Sequence, residues 1–171
     1  HERYIITEPD ERGGFPRFYL TMVDDGQASC VFVTPAGCSI YPHRPGACRT
    51  YPLGRAAMRR TGRFGEFYVL LQEPHCRGFA EKQQQRVDQY LTEQGLNDYN
   101  RCNDLVLSVL QHEFVRKRSG RLPAELIADF TLALYDIDRF RACLQDGSCT
   151  VAEDFDRALL DHDEAVLELG V

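Results

Sequence analysis

Seven cysteines in 171 residues are an odd number and a high share for one chain. Four of them, Cys30, Cys38, Cys48 and Cys76, lie in a stretch punctuated by Gly37, Pro42, Pro45, Gly46, Pro52, Pro74 and Gly78. Glycine and proline favour turns over helix, so this stretch reads as looped. A loop with few large apolar residues needs another source of order, and metal bonds to thiolates supply one. On that reading the four cysteines are ligands of one zinc ion or one iron–sulfur cluster, since thiolates suit both. The competing reading makes them four unrelated thiols packed as small hydrophobes. The spacing lacks the paired Cys-x-x-Cys knuckles of common zinc and ferredoxin sites.

The charges around these cysteines favour the metal reading. No acidic residue stands between Asp25 and Glu66, whereas Arg44, Arg49, Arg55, Arg59, Arg60 and Arg63 all do. Four thiolates around a divalent metal or a reduced cluster carry net negative charge, which nearby arginines offset and whose sulfurs N–H donors tune. Arg44 and Arg49 are the candidates to hold sulfur or backbone in place around the ligands. The alternative for the arginines is a solvated basic face or an anion site. His43 and His75 lie near candidate cysteines, and imidazole is a common zinc ligand. They are therefore candidates to ligate or to support the ligands.

The phrase Cys38-Ser-Ile-Tyr41-Pro-His-Arg44-Pro45-Gly-Ala-Cys48-Arg49-Thr-Tyr51-Pro52, with Cys30-Val-Phe before it and Cys76-Arg-Gly78 after it, resembles the YkgJ-type cysteine-cluster family, a putative zinc- or iron-chelating domain. A second patch, Ala133 to Arg141, is similar to the helical tail of some longer members. The matches touch about a third of the chain. The resemblance implies metal chelation and places cysteines, rather than His43 or His75, at the ligand positions. Flagellin lysine N-methylases share this kind of cluster, so the resemblance also implies an alternative, methyl transfer from S-adenosylmethionine. One departure matters. Family members open with a further Cys-x-x-Cys-x-x-Cys-Cys cluster, and Cys30 is the first cysteine here. The expectation is that 1–171 is part of a longer protein whose missing cysteines complete this site or build another.

The length allows one domain with a real core, and 43% hydrophobic residues is ordinary for a soluble globular chain. No run is long enough to span a membrane and no signal peptide is visible. With clustered thiols, this suggests a cytoplasmic protein. Cys143 and Cys149, which bracket a turn, are then expected to stay free rather than form a disulfide or a second metal site. The net charge of −6 is uneven: residues 1–78 hold ten basic and eight acidic residues, and 79–171 hold ten and eighteen. An acidic helical half repels phosphates, so no nucleic-acid partner is expected; a protein partner remains open. No phosphate-binding glycine loop, Gly-x-Ser-x-Gly elbow or His-Glu-x-x-His helix is present.

The elements that must position the cysteines follow from periodicity. Residues 17–23 and 29–33 read as strands joined at Asp24-Asp25-Gly26, with a possible short strand at 3–6. Phe64 to Leu71 reads as a third strand leading into Glu73-Pro74-His75-Cys76. From Phe79 the period shifts toward 3.6. Helices are predicted over 79–94, ended by Gly95, and from Asn97 to about 118, with Cys102 on its buried stripe. A third runs from Pro123 to about 141. Thr150 to Glu153 reads as a capping box opening a last helix, with His162 packed beside its apolar side. The expected architecture is α+β: a small, partly β, cysteine-rich metal-binding module over 1–78, packed on a bundle of about four helices over 79–171.

Overall fold

The computed structural model describes residues 4–60, 63–74, 76–151 and 155–171. In chain order the elements are β1 (Ile5–Glu8), β2 (Arg17–Leu20), β3 (Val33–Thr34), β4 (Gly37–Cys38), α1 (Gly46–Thr50), β5 (Leu53–Arg60), β6 (Arg63–Leu70), α2 (Val87–Glu93), α3 (Leu96–Leu110), α4 (Glu113–Lys117), α5 (Ala124–Tyr135), α6 (Ile137–Asp146) and α7 (Asp163–Leu169). Short 3-10 turns occupy Tyr41–His43, Arg77–Ala80 and Arg157–Asp161. The strands pair as three antiparallel hairpins, β1 with β2, β3 with β4 and β5 with β6. The mixed α+β character is therefore as expected.

The chain forms two compact units: His1–Ile40 with Val109–Val171, and Tyr41–Ser108. The sequence boundary drawn at residue 78 falls inside the second unit. Charge divides along the same line. The first unit holds ten basic and nineteen acidic residues, the second ten and seven.

In the first unit, β2 pairs with β1 rather than with residues 29–33. Two aromatic rings explain why. Phe15 stacks on Phe130 with centroids 3.9 Å apart, and Phe18 stacks on Tyr135 at 3.6 Å. These contacts fix β2 and the residues before it against α5, where burial of large rings stabilises most. The expected turn at Asp24-Asp25-Gly26 does form. The Asp25 carboxylate accepts from the Ser29 hydroxyl and from the amides of Gln27 and Ser29, which together hold its pKa below the usual carboxylate range, and Gly26 takes φ +73°. What remains of the expected hairpin is one antiparallel bridge, Met22 to Cys30.

The long helix expected from Pro123 to 141 is two helices. Asp136 leaves helical geometry (φ −120°, ψ 58°), and its amide bonds the Thr131 and Leu132 carbonyls. The break lets α6 bury Phe140 and Leu144 with Ala133, Leu160 and Val166, while Phe130 packs with Phe15 and Leu122. The helix expected to reach residue 118 likewise breaks, at His112, whose Nδ1 accepts from the Phe114 amide and caps α4. The capping box at Thr150–Glu153 lies largely outside the described residues, and the last helix opens later, at Asp163. His162 is exposed, not packed.

In the second unit, the segment 53–60, expected as loop, is strand β5, paired residue for residue with β6. The helix expected over 79–94 shrinks to a 3-10 turn, an irregular run over 81–86 and α2. Glu81-Lys-Gln-Gln-Gln-Arg86 has no apolar side chain to bury, and helix propensity alone does not sustain a short helix in water. The expected stop holds: Gly95 takes φ +63° just before α3. Leu96 follows it and is fully buried.

Candidate functional site

The cysteine-bearing loop of the second unit is built by its arginines. Cys48 lies exposed on α1, a five-residue helix that buries none of its own side chains. Such a helix is too short to persist by itself. Arg49 holds it: Nε donates to the Arg44 carbonyl (3.0 Å), Nη1 to the Gln94 carbonyl (3.0 Å), and Nη2 to the Pro42 carbonyl. The planar fork of a guanidinium suits this triple contact, whereas a lysine would supply one point donor. Arg44 donates to the Tyr41 carbonyl (3.0 Å) and to the Gln94 side chain, and stacks over the Tyr41 ring at 4.0 Å. The Tyr90 hydroxyl donates to the carbonyls of Arg49 (3.2 Å) and Tyr51. Gly46 permits the close fit, because a Cβ there would stand 3.1 Å from the Tyr99 ring. Arg44 and Arg49 thus direct these donors to backbone carbonyls and the Gln94 amide.

Cys76 lies half-buried after β6, its amide closing a turn on the Glu73 carbonyl at 3.0 Å. The Tyr51 hydroxyl meets its thiol and donates to the Glu73 carboxylate at 3.3 Å. Partial burial of the phenol, then the hydrogen bond and charge of Cys76, then Glu73, push Tyr51 up to about 12. The phenol therefore keeps its proton, which it donates to Glu73, across the ordinary pH range. Tyr51, Leu53, Leu70, Cys76, Phe79 and Tyr90 border a cavity of about 460 Å³. His43 lies exposed in the 3-10 turn before α1, and His75 lies outside the described residues.

The other two candidates belong to the first unit. Cys38 ends the β3–β4 hairpin, paired with Val33, and Cys30 precedes it, its carbonyl accepting from the Val33 amide at 3.0 Å. Both are half-buried. Each unit therefore carries two of the four candidate thiols. Among the described residues, no three His, Cys, Asp or Glu side chains are grouped so as to hold one metal ion. A tetrahedral thiolate site needs four sulfurs about 2.3 Å from the metal, and the described geometry does not display such a set.

Of the remaining cysteines, Cys102 is half-buried on α3. Cys143 and Cys149 are joined in a disulfide, which corrects the expectation that they stay free. α6 ends at Gly147 (φ +77°), and the turn brings Cys149 back to the last turn of the helix, where its amide bonds the Cys143 carbonyl at 3.2 Å. No helix among the described residues is long and apolar enough to cross a membrane.

Residues that sequence reasoning did not single out also shape the second unit. Tyr51 was visible within the Cys48-Arg-Thr-Tyr-Pro phrase, but its approach to Cys76 spans 25 positions. Tyr90 was visible only as part of an apolar helix face, and Gln94, which with it completes the arginine-held loop, carries no signal of its own. Compared with family models, curated proteins and solved structures, the chain matches none.

Proposed function

We propose that this protein is a thiolate metal binder, taking an iron–sulfur cluster or zinc through Cys30, Cys38, Cys48 and Cys76 in a structural, redox or sensing role. The observation that carries the reading is the setting of Cys48. A segment that fully buries none of its side chains is nevertheless fixed, by three bonds from Arg49, with Cys48 exposed on it. Order without burial is what a ligand loop requires, because the ligand must be positioned yet reachable. The Tyr51 hydroxyl, which lies beside Cys76 and donates to Glu73, supports the same reading by giving the sulfur a polar neighbour. The resemblance of the 38–52 phrase to the YkgJ-type family agrees with this choice of ligands.

The test compares two substitutions by metal analysis after anaerobic purification. Cys48→Ser is expected to lower bound iron or zinc, whereas Cys102→Ser is expected to leave metal unchanged and cost only core stability. Full metal content in both variants contradicts the ligand assignment. Selective protection of the fold by S-adenosylmethionine would move the reading to the methylase alternative.

A further inference from the structure

The second unit contains a cavity of mixed polar and apolar lining that the thiol chemistry does not use. It measures about 400 Å³ and lies where the β5–β6 hairpin faces α3. Its floor is Arg55, whose side chain is 10% exposed. Nη1 and Nη2 donate to the two Asp104 oxygens at 2.8 and 2.9 Å, and Nε donates to Glu66 Oε2 at 2.7 Å. The Tyr68 hydroxyl donates to the same Glu66 oxygen at 3.1 Å and accepts from the Asn100 amide at 3.4 Å. The two carboxylates are thus held in fixed orientation before any ligand arrives, which lowers the ordering cost of binding.

This network leaves specific groups facing the cavity. Glu66 Oε2 takes both bonds, so Oε1 has none among the described residues. The Asn97 amide, one helical turn before Asn100 on the same face of α3, likewise has none among them. Phe64 supplies an exposed apolar wall beside Arg55. The charged lining is balanced, with Arg55 and Arg101 against Glu66 and Asp104. A balanced lining does not select an ion. Preset acceptors, an adaptable amide and one aromatic face suit a molecule with several hydroxyl donors and one apolar side.

We propose that this cavity binds a small neutral polyhydroxyl ligand of monosaccharide size, its hydroxyls on Glu66 Oε1, Asn97 and Asn100 and its C–H face on Phe64. The site is independent of the metal reading and stands or falls separately.

The test is an amide NMR titration of the whole chain, with the Asn97 and Asn100 side-chain signals assigned. The probes are D-glucose, D-galactose, N-acetyl-D-glucosamine and myo-inositol, each to roughly 20 mM, which detects millimolar affinity. At least one is expected to shift these signals saturably. Asn97→Ala and Phe64→Ala, both at exposed positions, are each expected to weaken that binding by about three- to tenfold with the thermal midpoint unchanged. Two results overturn the proposal: no saturable shift with any of the four, or saturable binding that neither substitution weakens.

Discussion

Phe130 lies stacked on Phe15 in the first unit, 6% exposed, and the buried residues around it are all apolar. In the second unit, Leu96 is the buried hydrophobic side chain among the described residues, and polar contacts of Arg55 with Asp104 and of Asn100 with Tyr68 join the hairpin to the helix. The first unit buries most of the fully buried apolar side chains, and the second, which buries one, relies more on arginines whose donors are matched to carbonyls and carboxylates. The two means have different consequences. Burial is non-directional and tolerates small displacements, whereas a guanidinium fork fixes direction as well as distance.

Phe130→Ala tests the burial side and carries the largest expected effect, a loss of roughly 3–5 kcal/mol read by chemical denaturation. Added salt should leave that loss nearly unchanged. Asp104→Ala tests the arginine side. It removes the bidentate partner of a nearly buried guanidinium, with an expected cost of about 1–3 kcal/mol. Asp104 is 28% exposed, so the cost should shrink as salt screens the pair. If Asp104→Ala cost nothing while Phe64 and Leu96 held the unit together, the contrast between the units would collapse.

The smallest expected effect is a pH dependence in the first unit. Burial against Phe18 and Phe130 raises the Tyr135 pKa above its ordinary value of 10.0. The folded state then holds that proton longer than the unfolded state does. Its contribution to stability is full below about pH 10 and is lost as pH rises through the folded value. Denaturant midpoints measured across that range should fall for the native chain more than for Tyr135→Phe, and equal slopes would contradict the assignment.

Much of the α+β character was legible because it rests on local pattern. The aromatic run 64–70, the apolar stripe of α3 and the stop at Gly95 all declare themselves. Strand β5 did not, because Leu53-Gly-Arg-Ala-Ala-Met-Arg-Arg60 has no β-branched or aromatic residue and is a strand through its pairing with β6. The break at Asp136 was hidden for the opposite reason: the apolar spacing runs on through it, and only packing of Phe140 and Leu144 against α7 reveals the turn. At the candidate site, the cysteines and arginines were visible as residue types. Their contacts were not, since Arg49 meets Gln94 across 45 positions and Arg55 meets Asp104 across 49. The Cys143–Cys149 disulfide depended on a compartment that composition does not reveal.

The central claim is that thiols in the glycine- and proline-rich stretch bind metal. The most direct measurement is metal and sulfide content, with a visible absorption spectrum, on protein purified without oxygen. The account predicts bound metal: iron with sulfide and a brown absorbance for a cluster, or colourless protein carrying zinc. Protein with all four thiols reactive and neither iron nor zinc bound would contradict it.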